Sequence, residues 1–315
     1  MENKRINLAT TNTVSSNYAG DAGAIFGQAW KELDTLNKGL ITTMDNVNHQ
    51  ANLRKLVYSN GTSSYSCGFV PAGTFVSSEK TIVPKKFSNP FQICKEDFRQ
   101  TWSEDGMGAS ASNPNMASDI LEAITTEVLA SQAAKLDTDI WTGLAATDGE
   151  FSGLIEQFTA DAAIIKDGNG VTGPGHSVSE STVQADIKLA LAAIPVALRR
   201  KDLTVAVSPD VFQSYWFYLV SKGIANDGNT EPKQTRFGRY TLTEVNGLPD
   251  NSIVVFEKAN VIFATGLQGD HNDISLVDED EIGLLTGQVR GKIVYNGGVG
   301  YYNSEEIVWL LTTQA

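Results

Sequence analysis

Residues 113–143 have the sequence NPNMASDILEAITTEVLASQAAKLDTDIWTG, which contains the longest helical pattern in the chain. Apolar side chains recur there every three or four positions: Met116, Ile120, Ile124, Val128, Leu136 and Ile140. Asn113-Pro114 precedes the pattern and places a proline in the first turn, where a helix needs no amide hydrogen. The stretch therefore predicts a helix over residues 116–143, which would be roughly 42 Å long.

The chain before this helix predicts an arm followed by a shorter helix. Residues 1–20 are rich in Thr, Asn, Ser and Gly and have almost no core-forming side chains, which indicates a free arm. Residues 21–37 carry apolar side chains at helical spacing. Gly39 then lies where a left-handed helix stop belongs.

A long two-stranded hairpin is predicted between these two helices. A strand is expected over residues 51–59, followed by a turn at Asn60-Gly61 and an alternating limb over residues 65–69. The return limb is expected over residues 81–98, and its two prolines exclude a central strand. Such a ribbon buries little by itself, so it either moves freely or lies across a neighbouring chain.

The chain after the long helix predicts an α/β unit. A helix is expected over residues 183–194, and a strand over residues 203–207 leads into Ser208-Pro209, a helix start with proline in the first turn. Two short apolar strands over residues 253–256 and 261–265 complete this α/β unit. The last region of the α+β fold adds an alternating strand over residues 288–301 and an apolar strand over residues 307–311.

Composition excludes several classes of protein. The 315 residues include 24 Lys and Arg against 37 Asp and Glu, and this net charge of −13 argues against a primary binder of duplex DNA or anionic membranes. Hydrophobic residues make up 41 %, which excludes wholesale disorder. Cys67 and Cys94 are too few for a disulfide scaffold, and the polar start of the chain predicts a protein made and kept in a reducing cytoplasm.

No enzymatic motif has the context that its chemistry needs. Residues 168–173 match GxGxxG, but no strand leads directly into a helix there and Pro174 follows, so a flexible loop is the preferred interpretation. His49, His176 and His271 lack the spacing of a zinc site, and the GxSxG motif is absent. The sequence therefore assigns no catalytic, cofactor-binding or metal-binding residue.

Charged and aromatic clusters suggest contacts between copies of the chain. The acids within residues 270–281 have no Lys or Arg nearby in sequence, so a solvated face is favoured, with a cation or a basic partner left open. Residues 215–218 are all aromatic, more than one core-facing helix stripe can bury. The residues predicted to lie at subunit interfaces are Tyr65, Phe69, Lys80, Lys85, Lys86, Phe87, Phe91, Arg199, Arg200, Trp216, Asp278 and Glu279.

The order of these elements resembles the major capsid protein of tailed bacteriophages, which has the Hong Kong 97 fold. The resemblance covers nearly the whole chain. Its most telling local matches are Leu36-Asn37-Lys38-Gly39-Leu40-Ile41, Val207-Ser208-Pro209-Asp210-Val211 and Gly291-Lys292-Ile293-Val294-Tyr295. These are patterns of turns and packing rather than catalytic signatures, so their ordered combination carries the identification.

The resemblance implies a particular division of the chain. Its parts would be an N-arm (1–20), an N-terminal helix with a peripheral-domain strand (21–59), an E-loop (60–97), a peripheral domain with a spine helix (98–145), an axial domain (146–282), a second peripheral-domain strand (283–304) and a C-terminal strand of the axial domain (305–315). In that family the E-loop and N-arm lie over neighbouring subunits.

The resemblance also implies a structural, non-enzymatic function. Copies of the chain would assemble in the bacterial cytoplasm into hexamers and pentamers of an icosahedral phage head, enclosing double-stranded DNA without sequence-specific binding. Portal, scaffolding and decoration proteins are the further expected partners, with no cofactor and no membrane. The alternatives are an encapsulin-like shell around enzyme cargo and a soluble nucleotide-binding α/β enzyme that uses residues 168–175.

Overall fold

The computed structural model describes residues 34–62, 64–65, 67, 72–98, 118–166, 178–223, 236–266, 274–280, 282–283 and 286–311. Their helices are α1 (Asp34–Asn37), α2 (Ser118–Thr142), α3 (Leu154–Ala160), α4 (Val183–Ala192) and α5 (Pro209–Ser221). Their strands are β1 (Thr42–Met44), β2 (Ala51–Ser59), β3 (Thr74–Ile82), β4 (Lys85–Cys94), β5 (Ile165–Lys166), β6 (Thr204–Val207), β7 (Arg236–Phe237), β8 (Tyr240–Glu244), β9 (Ser252–Phe256), β10 (Val261–Ala264), β11 (Ile274–Asp278), β12 (Gln288–Tyr301) and β13 (Val308–Leu311).

This mixture of helices and sheets divides into two compact units, each described by itself below. The described residues of the first unit fall within Lys86–Ala133 and Gln268–Tyr295. Those of the second unit fall within Leu33–Lys85, Ala134–Leu267 and Asn296–Ala315.

The predicted long helix is confirmed as α2, which has 25 residues. Its last turns lie in the second unit and bury Leu136, Ile140 and Trp141, each at most 1 % exposed. The helix ends before Gly143, where an added Cβ would lie 2.6 Å from the carbonyl oxygens of both Asp139 and Phe151. Glycine is therefore the residue that lets the chain turn here against its own backbone.

The predicted glycine stop after the first helix is also confirmed. Gly39 has a φ of 61°, its amide donates to the Leu36 carbonyl, and the Leu40 amide donates to the Thr35 carbonyl. These two bonds satisfy carbonyls that the end of a helix leaves unpaired. The helix predicted over residues 21–37 is described only at Asp34–Asn37, and the N-arm lies outside the described residues.

A six-stranded sheet forms the main core of the second unit, with the strand order β5-β13-β9-β6-β8-β7. Strand β6 runs parallel to β8 and antiparallel to β9, while β13 runs antiparallel to β9. Helices α4 and α5 contribute Ile187 and Val211 to the same buried cluster as Val205. Short, continuously apolar strands suit this position because both faces of the sheet are covered.

The strand β10 differs from the prediction. It was grouped with β9 in one α/β unit, but it pairs with β1 in parallel and with the end of β12 in antiparallel orientation. Phe263 in β10 lies opposite Val299, and its ring packs against Phe151 at a centroid distance of 6.4 Å. An apolar run of four residues fits either sheet equally well, so composition could not assign its partner.

The hairpin is present, but its predicted return limb is wrong. All nine residues of β2 pair with β3, from Ala51 opposite Ile82 to Ser59 opposite Thr74. Residues 74–82 therefore return the chain, and Lys85–Cys94 forms the separate strand β4. Pro84 lies between the two strands, consistent with the inability of proline to donate to a ladder.

In the first unit, β4 and β11 both pair with β12. Strand β11 is antiparallel to it, from Ile274 opposite Ile293 to Asp278 opposite Val289. Phe91 of β4 lies over Gly291, where an added Cβ would come within 2.1 Å of the phenyl ring. Within the described residues β4 pairs with β12 alone, which is the edge position that Pro90 requires.

Candidate assembly surface

The far half of the hairpin exposes large apolar side chains. We define the hairpin tip as residues 56–59 of β2 and 74–77 of β3. Five of its side chains are between 44 % and 70 % exposed: Leu56, Val57, Tyr58, Phe75 and Val76. A two-stranded ribbon with such a patch is marginally stable in water, so the tip is a candidate for contact with another protein surface.

The strand register places these apolar side chains on both faces of the ribbon. Val57 lies opposite Val76, on the face that buries Leu53 closer to the base. Tyr58 lies opposite Phe75 on the other face, and their ring centroids are 4.7 Å apart. An exposed hairpin normally alternates polar and apolar residues, so that one face is polar and meets water. The tip lacks such a polar face.

The tip also belongs to a long uncharged stretch. Residues 56–78 contain no Asp, Glu, Lys, Arg or His. The first charges beyond this stretch are Lys55 and Glu79, at the hairpin base. A surface that fits the tip must therefore be complementary in shape and apolar character rather than in charge.

The base of the hairpin, residues 51–55 and 78–82, is held by a carboxylate on the body of the second unit. Asp161 directly follows α3, and its Oδ2 accepts from Lys80 Nζ at 2.8 Å, Tyr301 Oη at 2.9 Å and Ser304 Oγ at 2.6 Å. The Lys80 ammonium also lies 3.6 Å from the centre of the Tyr301 ring, a cation–π contact. We call these four residues the Asp161 node.

The charge state of the Asp161 node follows from these contacts. Partial burial raises the pKa of Asp161, but the hydrogen bonds from Lys80, Ser304, the Ala163 amide and Tyr301 outweigh it and hold the pKa well below its usual range. Burial and the hydrogen bond to Asp161 together raise the pKa of Tyr301 above its usual range. At neutral pH Asp161 is therefore a carboxylate and Tyr301 a neutral phenol, and the node lies beside an open cavity of about 480 Å³.

Two further contacts fasten the base. Lys55 Nζ donates to Asn303 Oδ1 at 2.7 Å and lies 3.6 Å from a carboxylate oxygen of Glu305. Ile82 packs so closely on β12 that a Cβ added at Gly300 would lie 2.6 Å from its side chain. The base is thus fixed to the rest of the second unit through both charged and apolar contacts, whereas the apolar side chains of the tip are exposed.

Sequence reasoning placed an interface in this hairpin but missed the tip residues. The signal that could have found them is the run Leu56-Val57-Tyr58, where no polar residue alternates with the apolar ones. Of the predicted hairpin contacts, Tyr65 is 93 % exposed. Phe69 lies outside the described residues.

Most of the predicted basic and aromatic contacts of the hairpin region have partners within the chain. Besides Lys80, Lys85 donates to the carbonyl oxygens of Ala145 and Glu150 at 2.9 and 3.3 Å. Phe87 packs on Tyr295 with ring centroids 5.5 Å apart, and Phe91 covers Gly291 as described. Lys86 is exposed. An interface role for these residues stays a prediction.

The interface residues predicted in the α/β unit also differ in their exposure and in their contacts within the chain. Arg199 donates to the carbonyl oxygens of Ala192 and Ile194, so it caps the end of α4 although its side chain is exposed. Arg200 is exposed. Trp216 is partly buried against the core, and the neighbouring Phe217 is the aromatic residue that faces outward, at 50 % exposure.

The structure corrects the interpretation of the acidic stretch for the three acids Asp278, Glu279 and Asp280. Lys95 Nζ lies 2.7 Å from Asp278 and 2.9 Å from Asp280, and Arg290 lies 2.7 Å from Glu279. The expected solvated face is therefore wrong for these three acids, because cations from elsewhere in the same chain neutralise them. Asp270, Asp273 and Glu281 lie outside the described residues.

The pairing of Lys95 is strong enough to overcome its burial. Its side chain is only 5 % exposed, and this burial lowers its pKa, but the hydrogen bonds to Asp278 and Asp280 outweigh it and raise the pKa overall. The Gly287 amide, followed by Lys95, lowers the pKa of Asp280. Lys95 and Asp280 are consequently both ionised at neutral pH.

The part of the chain that the structure describes offers no group of three or more His, Cys, Asp or Glu residues arranged to hold a metal ion. None of its helices combines the length and the apolar character needed to cross a membrane.

Comparisons with known proteins give no match in sequence and clear matches in structure. No protein-family model matches this sequence, and neither does any curated protein. A chain of the capsid of the native GTA particle, computed with C5 symmetry, is similar with a TM-score of 0.64 and 11 % identity over 97 % of this chain and 100 % of that chain. A chain of Gordonia phage Cozz gives a TM-score of 0.61 and 11 % identity over 96 % and 92 %.

A third match comes from the procapsid of satellite phage P4, which includes the size determination (Sid) protein. It has a TM-score of 0.55 and 10 % identity, and it covers 90 % of this chain and 98 % of that chain. At such identities the likeness concerns the fold. The chain has the fold of phage capsid proteins over nearly its whole length, as the resemblance in the sequence implied.

Proposed function

We propose that this chain is the structural subunit of a phage head, which self-assembles into hexamers and pentamers and encloses double-stranded DNA. The observation that carries the proposal is the hairpin tip, a patch that is apolar on both faces and that the described residues of the chain leave exposed. In the proposal this hairpin serves as the E-loop, α2 as the spine helix and the six-stranded sheet as the centre of the axial domain.

In the proposal, a neighbouring copy of the chain covers the exposed apolar side chains of the tip. Each large apolar side chain removed from water contributes about 1.5–3 kcal/mol. Every copy in a closed shell makes the same contacts, so a modest contact per subunit becomes a stable assembly. The net charge of −13 supports a container for DNA, since a strongly basic wall would bind packaged phosphates and hinder their movement.

The proposal is tested by purifying the full chain after expression in a bacterium. We expect closed shells of uniform size by negative-stain electron microscopy and fast sedimentation. A monomer or small oligomer at every concentration and salt condition tried, with or without the scaffolding protein of its phage, would contradict the proposal. Binding of a nucleotide by such a small species would favour the enzyme alternative.

The content of particles from infected cells separates the two kinds of shell. We expect nuclease-protected double-stranded DNA inside, at an amount that fills the particle. Particles that contain protein cargo and no protected DNA would favour the encapsulin-like alternative.

A further inference from the structure

The hairpin ends in an Asn-Gly pair whose surroundings differ from those of the other such pairs. The sequence contains four: Asn60-Gly61, Asn169-Gly170, Asn246-Gly247 and Asn296-Gly297. Asn169-Gly170 lies outside the described residues. An asparagine followed by glycine can lose its side-chain amide, because no Cβ on the next residue hinders attack by its backbone nitrogen.

Thr62 holds the Asn60 side chain through two hydrogen bonds. Both the backbone amide and the hydroxyl of Thr62 donate to Asn60 Oδ1, at 3.1 and 2.7 Å. Two donors on one amide oxygen withdraw charge from Cγ and stabilise the negative charge that develops on Oδ1 during attack, as the donors of an oxyanion hole do. The Asn60 side chain is exposed, so its Nδ2 can leave into water.

We infer that Asn60 is a site of spontaneous deamidation and that Thr62 promotes the reaction. The Gly61 amide nitrogen gives its proton to water and forms a bond to Asn60 Cγ. The bond from Cγ to Nδ2 breaks, the nitrogen takes a proton from water and leaves as ammonia, and a five-membered succinimide remains. Water then opens the ring to aspartate or isoaspartate at position 60, with no oxidant or other reagent needed.

The other described pairs are protected by packing. Gly247 is buried, whereas Gly61 is only partly buried beside the exposed Asn60. Backbone crowding does not separate these two pairs, since an added Cβ would lie 2.4 Å from the Asp137 carbonyl oxygen at Gly247 and 2.0 Å from the Ala72 backbone at Gly61. Gly297 is buried within β12. Asn296 Nδ2, the leaving group, donates to Asn48 Oδ1 at 3.3 Å. The structure therefore assigns the reaction to Asn60 among these three.

The reaction places a negative charge in a stretch that has none. Residues 56–78 are uncharged, and position 60 follows directly after the apolar tip residues of β2. Any loss of assembly that results rests on the proposed function, whereas the chemistry does not. The test below therefore measures the chemistry alone.

The experiment incubates the folded full chain, kept unassembled by dilution, at a fixed mildly alkaline pH and follows each Asn-Gly peptide by mass spectrometry with isoaspartate detection. We expect position 60 to convert faster than positions 246 and 296. In the chain unfolded by denaturant, we expect the three positions to convert at similar rates. If position 60 is no faster than the other two in the folded chain, the proposal is overturned.

Variants at position 62 test the role of the hydroxyl. Thr62→Val removes one donor at nearly constant volume and is expected to slow conversion at position 60 about threefold or more. Thr62→Ser keeps the donor and is expected to restore the rate, while Asn60→Gln abolishes the product. Unchanged melting curves confirm that the exposed variants fold. Equal rates for the Val and Thr proteins would overturn the assigned role of Thr62.

Discussion

The six-stranded sheet and the hairpin tip contain similar apolar residues, which are buried in the sheet and exposed at the tip. All five residues of β9 are buried, whereas Leu56 and Phe75 at the tip are 67 % and 70 % exposed. Strand β9 has β6 and β13 as neighbours, and helices α4 and α5 share its core. Among the residues that the structure describes, no third strand pairs with the ribbon and no layer covers its tip. The number of covering layers, rather than residue type, decides whether an apolar strand residue stabilises the subunit.

The comparison assigns different roles to the two regions. Apolar residues of the sheet stabilise the folded chain, and those of the tip contribute only when another surface covers them. Between the two lies the hairpin base, where the Asp161 node and Lys55 hold the ribbon to the body. Substitutions can therefore separate the stability of the subunit from its assembly.

The largest contrast comes from the same substitution in both regions. Phe256 of β9 is 1 % exposed, and its ring centroid lies 6.2 Å from that of Trp141. Phe256→Ala is expected to lower the free energy of unfolding by about 3–5 kcal/mol. Phe75→Ala is expected to lower it by less than about 0.5 kcal/mol. Denaturant unfolding of unassembled subunits measures both, and equal losses would remove the distinction between sheet and tip.

In the first unit, the buried cation gives the next largest effect. Lys95→Met leaves Asp278 and Asp280 without their counter-ion and is expected to cost about 3 kcal/mol. The control adds Asp278→Asn and Asp280→Asn to the same variant, which removes the unpaired charges. We expect this combined variant to regain much of the lost stability in thermal unfolding. A Lys95→Met protein as stable as the parent would show that the pairing contributes nothing.

An intermediate effect is expected at the hairpin base. Asp161→Asn replaces an ionic acceptor of three side-chain donors, and because Lys80 is partly exposed the expected cost is only about 1 kcal/mol. The amides of β2 and β3 should then exchange hydrogen faster than in the parent, while those of β9 should not. Equal exchange rates in the hairpins of both proteins would mean that the node does not hold it.

The difference in stability between the parent and the Asp161→Asn variant is expected to depend on pH. The folded pKa of Asp161 lies below its unfolded value, so its contribution is complete above about pH 4 and is lost as the pH falls through the folded pKa. The stability difference between the parent and Asp161→Asn should stay constant from pH 7 to 5 and narrow at lower pH. A difference that widens on acidification would contradict the assigned charge state.

The smallest effect is expected from the exposed ion pair of the hairpin. Arg54 Nε lies 3.2 Å from Glu79 on the neighbouring strand, with side chains 75 % and 41 % exposed. Arg54→Ala should therefore change the free energy of unfolding by less than about 0.5 kcal/mol and should leave assembly intact. A larger change would mean that the ribbon depends on surface charge rather than on its anchored base.

Local patterns predicted much of this fold. The period of residues 116–143, the glycine stop at Gly39 and the Ser208-Pro209 helix start each depend on a few neighbouring residues, and each was confirmed. Strands 51–59 and 253–256 were placed for the same reason. These features depend on backbone geometry that the local sequence determines directly.

Pairing across long distances could not be predicted in the same way. The return strand was misplaced because residues 74–82 and 85–94 both resemble a limb of the hairpin, and their partners are decided by the rest of the fold. Lys95 lies 183 residues from Asp278 in sequence, so no local charge pattern joins them. The run Leu56-Val57-Tyr58 marks an apolar surface in the sequence, but only the fold shows that these side chains are exposed rather than buried.

The central claim is that the tip serves assembly and not the fold, and one triple variant tests it most directly. Leu56→Ser, Tyr58→Ser and Phe75→Ser together make one face of the tip polar, and Asn52→Ser with Thr81→Ser is the control on the same face at the base. Electron microscopy and unfolding are measured on both proteins under conditions in which the parent forms shells. We predict a triple variant that unfolds like the parent but forms no closed shells, beside a control that assembles normally. Closed shells of parental size from the triple variant would contradict the account.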